Sequence, residues 1–281
     1  MNPTAKRMLT LLATAAAIYL VLVVLLLFFE RNMVFFPQMG RNSGDWDPPD
    51  LPVEDVALTT SDNVKLHAWW IPAPAADFTF LMFHGNAANL PNRADIYRFL
   101  HAIPVNILAV DYRGYGRSEG RPSEAGIYLD ARAAYDHLTQ QRAIPPQRII
   151  AFGASLGSAV AADLAAEREV AAVILEAPFP SAPAVARRVY PFLPGLGTLM
   201  RTKLDTSAKL ARVRAPVLII HCTRDPVIAF SFGEAVFAAA REPKQFARIE
   251  AACHEDACLA DPHAYRAAVL KFLQEVKAAA N

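Results

Sequence analysis

The chain has little of two things that mark special classes of protein, an excess of one charge and cysteine. Its 28 lysine and arginine residues are balanced by 27 aspartate and glutamate residues, which gives a net charge of +1 at pH 7. Proteins that grip the phosphate backbone of nucleic acids carry clustered positive charge, so this balance argues against a nucleic-acid partner. Three cysteines in 281 residues exclude a small fold held together by disulfides, and the length allows one domain with a sizeable core.

Hydrophobic residues make up 54% of the chain, and the excess begins at the N-terminus. Residues 9–29 carry no charge, and a helix of this length, rising about 1.5 Å per residue, crosses a hydrocarbon core of about 30 Å. We therefore predict an N-terminal tail and transmembrane anchor over residues 1–31. A cleavable signal peptide is the alternative, but its shorter apolar region ends in small residues, whereas this run ends in Phe28 and Phe29.

The charges that flank the apolar run predict its orientation. Lys6 and Arg7 precede it with no acidic residue beside them, whereas Glu30 partly offsets Arg31 behind it. Because positive residues stay on the cytoplasmic side, we expect a cytoplasmic N-terminus and a domain on the outer, periplasmic or extracytoplasmic, side. Residues 32–52, which include glycine and several prolines, are predicted to be a juxtamembrane linker.

Eight short apolar runs, most of them separated by amphipathic stretches of helical length, occupy residues 53–281. This alternation predicts an α/β domain, with a mostly parallel sheet that is covered by helices. The first two runs flank Asp62 and Asn63, a turn-forming pair, and so predict a hairpin. Prolines and glycines interrupt the segment 180–215, where we predict a small cap. The predicted strands are Val56–Thr60, Val64–Ile71, Phe78–His84, Val105–Asp111, Arg148–Gly153, Ala171–Glu176, Val217–Cys222 and Phe246–Ala251.

A G-x-S-x-G motif at residues 153–157 follows the fifth predicted strand. This motif needs a sharp turn from a strand into a helix, with the serine, here Ser155, at its apex. A serine hydroxyl is a weak nucleophile, and it needs a histidine that takes its proton and an acid that orients the histidine. The alternative is a glycine-serine turn without chemistry.

Candidate partners for Ser155 follow it in the chain. Hydrolases whose serine lies in such a strand-turn-helix motif have the acid next and the histidine last. Asp225 comes just after the seventh predicted strand, and His254 comes just after the eighth. Glu176 also ends a strand and is the alternative acid. Asp205 better fits a helix cap, and His263 lies at a predicted helix start.

When a serine attacks a carbonyl group, the carbonyl oxygen becomes negative. Two backbone N–H groups are expected to stabilise this oxygen. One belongs to Leu156, the residue after the nucleophile, and the other belongs to Asn86, which follows His84 and Gly85 after the third predicted strand. An ordinary Gly-Asn turn is the alternative for the second. No grouping of histidine, cysteine and acidic residues has the spacing of a zinc site, so we expect no metal and no other cofactor.

Together these motifs resemble the α/β-hydrolase superfamily, and specifically its single-pass, N-terminally anchored α/β-hydrolase-domain serine hydrolases. The resemblance implies an α/β-hydrolase fold and the hydrolysis of esters or thioesters, with Ser155 as nucleophile, Asp225 as acid and His254 as base. The segments that carry it are Phe83–Ala87, Val110–Gly120, Gly153–Gly157, Leu175–Phe179 and His221–Val227.

The chain departs from the family at two cysteines. Cys222 stands where relatives commonly have glycine before the acid, and Cys253 replaces the glycine before the catalytic histidine. Both altered positions end adjacent strands, so for a domain outside the cytoplasm we hypothesise a Cys222–Cys253 disulfide. Two buried thiols, or a pairing of Cys253 with Cys258, are the alternatives.

The leading hypothesis is a membrane-anchored serine hydrolase that acts on acyl or lipid-like esters or thioesters. An acyltransferase would use the same residues, and a catalytically silent, hydrolase-like binding module is the alternative from another class. Apolar residues in the predicted cap suit an acyl pocket as well as ordinary packing. The sequence indicates no particular protein partner.

Overall fold

One mostly parallel sheet organises the protein. The computed structural model describes residues 2–39 and 43–280, and within them eight strands pair in the order β1-β2-β4-β3-β5-β6-β7-β8. The pairs β1 with β2 and β2 with β4 are antiparallel, and the other pairs are parallel. The strands are β1 Glu54–Thr59, β2 Lys65–Ile71, β3 Phe78–Phe83, β4 Val105–Val110, β5 Ile149–Ala154, β6 Ala172–Glu176, β7 Val217–Cys222 and β8 Lys244–Ile249.

The central strands are apolar throughout because both faces of the sheet are covered. Every residue of β3, β5 and β7 is buried. Alternate side chains of β3 enter two separate cores, with Leu81 and Phe83 on one face and Phe80 and Met82 on the other. Burial on both faces removes the polar alternation of a half-exposed strand. The predicted fold class, an α/β-hydrolase fold with a mostly parallel eight-stranded sheet, is confirmed.

The edge strands begin earlier than the apolar runs predicted. Strand β1 starts at Glu54, which pairs with Trp70, and β8 starts at Lys244, which pairs with Val217. Polar side chains do not prevent a backbone from joining the ladder at an edge, so hydropathy misses these residues. The predicted hairpin is present, with Asn63 in the left-handed region at φ 63°.

Helices cover both faces of the sheet and form the cap region. The α-helix Glu124–Asp136 is followed directly by a π-helical turn, His137–Gln141. Short 3₁₀ turns lie at Pro91–Arg93 and Pro146–Arg148. The α-helices are α1 Pro3–Phe28, α2 Glu30–Val34, α3 Ala94–His101, α4 Glu124–Asp136, α5 Leu156–Glu167, α6 Ala182–Val189, α7 Leu196–Leu199, α8 Thr206–Leu210, α9 Phe230–Ala239, α10 Ala257–Ala260 and α11 Pro262–Ala280.

Helix α1 is, within the described residues, the one helix long and apolar enough to cross a membrane. Its hydrophobic side chains are largely exposed, including Leu11 at 71% and Leu20 at 62%. A helix at the N-terminus with these properties is a candidate for a membrane anchor or a signal sequence.

The segment that follows α1 packs on the domain. Helix α2 leads into Phe36, which pairs with Ala87 in a parallel bridge, and the carbonyl of Met39 accepts a hydrogen bond from the N–H of Ala88. Residues 40–42 of the predicted linker lie outside the described residues. Helices α6, α7 and α8 occupy the predicted cap segment, and residues of α6 and α7 line a cavity together with the end of α1.

Candidate active site

Ser155 sits in the sharp turn that its motif requires. Strand β5 ends at Ala154 and helix α5 begins at Leu156, which leaves Ser155 between them at φ 49°, a strained conformation for a residue with a side chain. Its N–H donates to the carbonyl of Glu176 on the next strand, at 2.9 Å. The turn therefore holds the Ser155 hydroxyl at the carboxyl end of the sheet.

The two glycines of the motif let three chain segments meet at this turn. A Cβ at Gly157 would overlap the carbonyl oxygen of Phe83, and a Cβ at Gly153 would overlap the carbonyl of Gly157. Only glycine permits this approach, which explains why the motif has glycine at both ends.

The structure brings Ser155, His254 and Asp225 into one chain of hydrogen bonds. His254 Nε2 lies 3.0 Å from Ser155 Oγ, and His254 Nδ1 lies 2.7 Å from Asp225 Oδ2. The other carboxylate oxygen of Asp225 accepts from the N–H groups of Val227 and Ile228, at 2.8 and 2.9 Å. These bonds fix the carboxylate toward Nδ1 and suit the histidine tautomer that leaves Nε2 free to accept a proton.

The charges of the pair favour an ionised Asp225 and a basic His254. Burial alone would raise the pKa of Asp225, but the hydrogen bonds from His221, His254 and the N–H of Ile228 hold that pKa well below its ordinary value. Burial likewise opposes the charged form of His254, yet the hydrogen bond to Asp225 and the charge of that carboxylate raise the pKa of His254 above its ordinary value.

The two residues predicted to supply oxyanion donors share a cavity with the Ser155 hydroxyl. Leu156 and Asn86 line the same cavity as Ser155 and His254. As the first residue of α5, Leu156 has no carbonyl four residues earlier within the helix to bond its N–H. The side chain of Asn86 is held by the hydroxyl of Tyr115 at 2.9 Å and by the N–H of Phe36 at 3.1 Å. This fixes the loop that carries the Asn86 backbone.

The alternative acids and the alternative histidine have other surroundings. Glu176 is buried, and it accepts from the N–H of Ala257 and the hydroxyl of Tyr265, both at 3.0 Å. Burial raises the pKa of Glu176 to about 7. Asp205 caps α8 through the N–H of Ala208, and His263 is exposed near the start of α11. Glu176 therefore holds the chain after His254 instead of contacting its ring.

The sequence alone does not predict the ion pair between Arg93 and Glu255, which lies beside His254. Arg93 lies 3.0 Å from Glu255 and donates to the carbonyl of Ala87 at 2.7 Å. A Cβ at Gly85 would overlap the Glu255 carboxylate. The pair thus ties the loop of Asn86 to the loop of His254. The one hint in the sequence is that Glu255 follows His254 directly.

A disulfide joins the two loops that carry the acid and the histidine. Cys222 ends β7 and Cys253 precedes His254, with Cα atoms 5.7 Å apart, as the hypothesis predicted. The third cysteine, Cys258, is a buried free thiol. Among residues 2–39 and 43–280, no group of three His, Cys, Asp or Glu side chains is placed to hold a metal ion.

Ser155 and His254 open into a cavity of about 470 Å³ with mostly apolar walls. Three elements build these walls: the end of α1 with the segment after it, the cap, and the loop after β7. The apolar lining includes Leu26, Leu27, Met33, Val34, Phe179, Val185, Leu196, Met200, Val227 and Ile228.

Comparison with known proteins agrees with the fold of the chain. A family described as "alpha/beta hydrolase fold" matches residues 79–203. An uncharacterised protein of Mycobacterium tuberculosis is 36% identical over 249 residues, 88% of each chain. The α/β-hydrolase domain-containing protein WAV2 of Arabidopsis thaliana is 34% identical over 277 residues, 90% of each chain.

Two solved structures share the fold. An esterase of Pyrococcus furiosus has a TM-score of 0.69 at 24% identity, over 84% of this chain and 97% of that one. An α/β hydrolase of Vibrio vulnificus has a TM-score of 0.73 at 20% identity, over 88% and 93%. The chain belongs to the α/β-hydrolase superfamily, as its sheet, its family match and its well-covered relatives show, and this membership supports hydrolase activity.

Proposed function

We propose that this protein is a serine hydrolase that cleaves carboxylic ester or thioester bonds through an acyl-enzyme. The observation that carries the proposal is the hydrogen-bonded chain from Ser155 through His254 to Asp225, which opens into an apolar cavity. A nucleophile, a base and an orienting acid within hydrogen-bond reach are what covalent acyl transfer requires.

In the first half of the proposed reaction, the Ser155 oxygen bonds to the acyl carbonyl carbon while its proton passes to His254 Nε2. The electron pair of the carbonyl π bond moves onto oxygen, beside the N–H groups of Leu156 and Asn86. When the carbonyl re-forms, the bond from carbon to the leaving group breaks. The departing alcohol or thiol takes the proton from His254, and the acyl group stays on Ser155.

In the second half, water replaces the leaving group as the partner of the acyl carbon. The water oxygen bonds to the carbonyl carbon and His254 takes its proton. The bond to Ser155 then breaks, the serine oxygen recovers that proton, and the carboxylic acid is released. Asp225 keeps its charge throughout, and it stabilises the imidazolium that forms twice.

The surroundings of the hydroxyl support an acyl substrate. Apolar side chains make up most of the cavity lining, and Ser155, His254 and Asn86 are among its fewer polar residues. This division suits a molecule with an apolar chain and one reactive carbonyl. The experiment measures hydrolysis of a nitrophenyl ester by the full-length chain and its labelling by a fluorophosphonate. The Ser155→Ala variant should lose both the hydrolysis and the labelling.

Helix α1 is proposed as a single-pass anchor that leaves the hydrolase domain on the outer side of the membrane. Lys6 and Arg7, in the first turns of the helix and ahead of its uncharged run, support a cytoplasmic N-terminus, and the Cys222–Cys253 disulfide supports an oxidising compartment for the domain. Peptide mapping without reductant, after alkylation during cell lysis, should recover the two cysteines in one linked peptide. Free thiols at both positions would contradict this orientation.

The pH dependence of kcat/KM should follow His254. This histidine must be neutral to take the proton from Ser155, so activity falls as the pH drops through its pKa. Because the hydrogen bond and the charge of Asp225 raise that pKa, the acidic limb should have its midpoint above 6.5, the ordinary value. Initial rates with a short-chain ester across the range in which histidine titrates give the midpoint. A midpoint below 6.5 would contradict the assignment.

A further inference from the structure

The cavity beside Ser155 is closed on one side by the anchor itself. The anchor wall, as we call it, comprises Leu26 and Leu27 at the end of α1, Glu30, Met33 and Val34 of α2, and Phe36. These side chains line the same space as Ser155 and His254. Whatever occupies the cavity therefore touches the segment that joins the domain to the apolar helix.

Buried hydrogen bonds fix the anchor wall to the cap. Glu30 is only 7% exposed, and its two carboxylate oxygens accept from the N–H of Thr202 at 2.6 Å and from the N–H of Arg201 at 3.1 Å. Both residues follow α7 in the cap. A charged group buried on specific backbone donors holds its partners in one arrangement, because an unpaired charge there would be costly.

The other end of the anchor wall is fixed to the loop with the proposed oxyanion donor. Phe36 donates its N–H to the side chain of Asn86 and bridges to Ala87, and Met39 bonds to Ala88. The anchor wall is thus held at one end by the cap and at the other end by the loop that carries Asn86.

The cap also contacts α1 some distance before the C-terminal end of that helix. The hydroxyl of Tyr19 donates to the carbonyl of Pro194 at the tip of the cap. Tyr19 precedes Phe28, the last residue of α1, by nine positions, which corresponds to about 14 Å along a helix axis. Val23, one turn after Tyr19, is 3% exposed. If α1 spans the bilayer, the tip of the cap reaches into the hydrocarbon region.

The tip of the cap has the surface that such a position requires. Phe192 is 69% exposed, Leu199 is 55% exposed and Val189 is 54% exposed. Large apolar side chains gathered at one exposed edge mark a surface that meets another apolar phase. Arg187 and Arg188, exposed at the end of α6, have side chains long enough to reach the headgroup level.

We infer that the substrate is a long-chain acyl ester of a membrane lipid, drawn from the bilayer that holds α1 into the cavity between the cap and the anchor wall. The inference rests on the proposed hydrolase activity and on the proposed anchor. The cap and the anchor wall are the two elements that meet the bilayer, and together they form much of the apolar lining of the cavity. A lipid chain can then pass from hydrocarbon to cavity without crossing water, which would cost about 0.8 kcal/mol for each exposed methylene.

The test compares two esters on full-length protein in phosphatidylcholine vesicles. One ester is methylumbelliferyl oleate dissolved in the bilayer, and the other is methylumbelliferyl acetate in water. Leu27→Trp and Met33→Trp add bulk to the anchor wall, and Leu25→Trp adds the same bulk to a side chain of α1 that is 47% exposed. The readout is the ratio of kcat/KM for oleate to kcat/KM for acetate.

We expect this ratio to fall at least about tenfold in Leu27→Trp and in Met33→Trp, since overfilling the cavity hinders the long oleoyl chain more than the small acetate. In Leu25→Trp the ratio should stay within about twofold of the unmodified protein. An unchanged ratio in both wall variants would overturn the inference.

A third substrate, a water-soluble peptide with an S-oleoyl cysteine, distinguishes the source of the acyl group. Faster cleavage of this peptide than of the bilayer ester would indicate an acylated protein as substrate and would also overturn the inference. Ser155-dependent cleavage of the acetate ester reports on the proposed function separately. If the protein cleaves no ester at all, the proposed function fails and the inference fails with it.

Discussion

Replacement of Ser155 by alanine should lower kcat for ester hydrolysis by at least about 10⁴-fold and abolish fluorophosphonate labelling. The hydroxyl is 3.0 Å from His254 Nε2 and opens into the apolar cavity, and alanine leaves no oxygen there to form the acyl-enzyme. The substitution removes one small polar atom from a turn already shaped by its glycines, so folding should survive. Progress curves with a nitrophenyl ester measure kcat, and in-gel fluorescence measures labelling.

Two controls make this result specific. Ser231→Ala removes an exposed hydroxyl at the start of α9 and should keep both kcat and labelling. The double variant Ser155→Ala with His254→Ala should be about as slow as Ser155→Ala alone, because groups that act as a unit lose their effect together. Persistent labelling of Ser155→Ala, or two fully additive losses, would contradict the proposed mechanism.

The parts of the site that were predictable are those with a local reason in the sequence. The turn at Ser155 has its own requirement for Gly153 and Gly157, and the structure shows the close contacts that impose it. Asp225 and His254 were placed by the strands that precede them, since parallel strands end at one edge of a sheet. Burial on both faces made those strands visible as continuous apolar runs.

The contacts that shape the cavity had no such local reason. In the sequence, Glu30 indicates only a charge that offsets Arg31, and nothing near it points to its backbone donors, which lie more than 170 positions later in the chain. Phe36 belonged to a predicted linker, yet it pairs beside Asn86. A fragment that begins near Arg41 would lack these contacts, so activity measurements belong on the full-length chain.

The Arg93–Glu255 ion pair is a case between these two. It lies where the loops after β3 and β8 meet, and each residue looks like an ordinary surface charge in its own segment. Only the topology, with β3 at the centre of the sheet and His254 folded back over its end, brings the charges together. The whole fold determines which distant charges meet, so the sequence of one segment alone does not predict this ion pair.

The second large effect expected is a loss of about 10⁴-fold in kcat in Asp225→Asn, with the fold intact. Oδ1 of Asp225 accepts the N–H groups of Val227 and Ile228, and the asparagine oxygen can keep both bonds. Its amide N–H then faces His254 Nδ1, which can accept that hydrogen bond only when it carries no proton. The single ring proton of the neutral histidine is then on Nε2 and points at Ser155, so His254 can no longer take the serine proton.

Glu176→Gln is the matched control for Asp225→Asn, because Glu176 is the other acid that ends a strand nearby. Its carboxyl holds Ala257 and Tyr265, and the amide can still accept the Ala257 N–H, so kcat should stay within about tenfold of the unmodified value. Thermal unfolding of both variants checks that the fold persists. A larger loss in Glu176→Gln than in Asp225→Asn would reverse the assignment. A larger loss of kcat in Asp225→Asn would support Asp225 as the acid, because only that substitution moves the ring proton of His254 to Nε2.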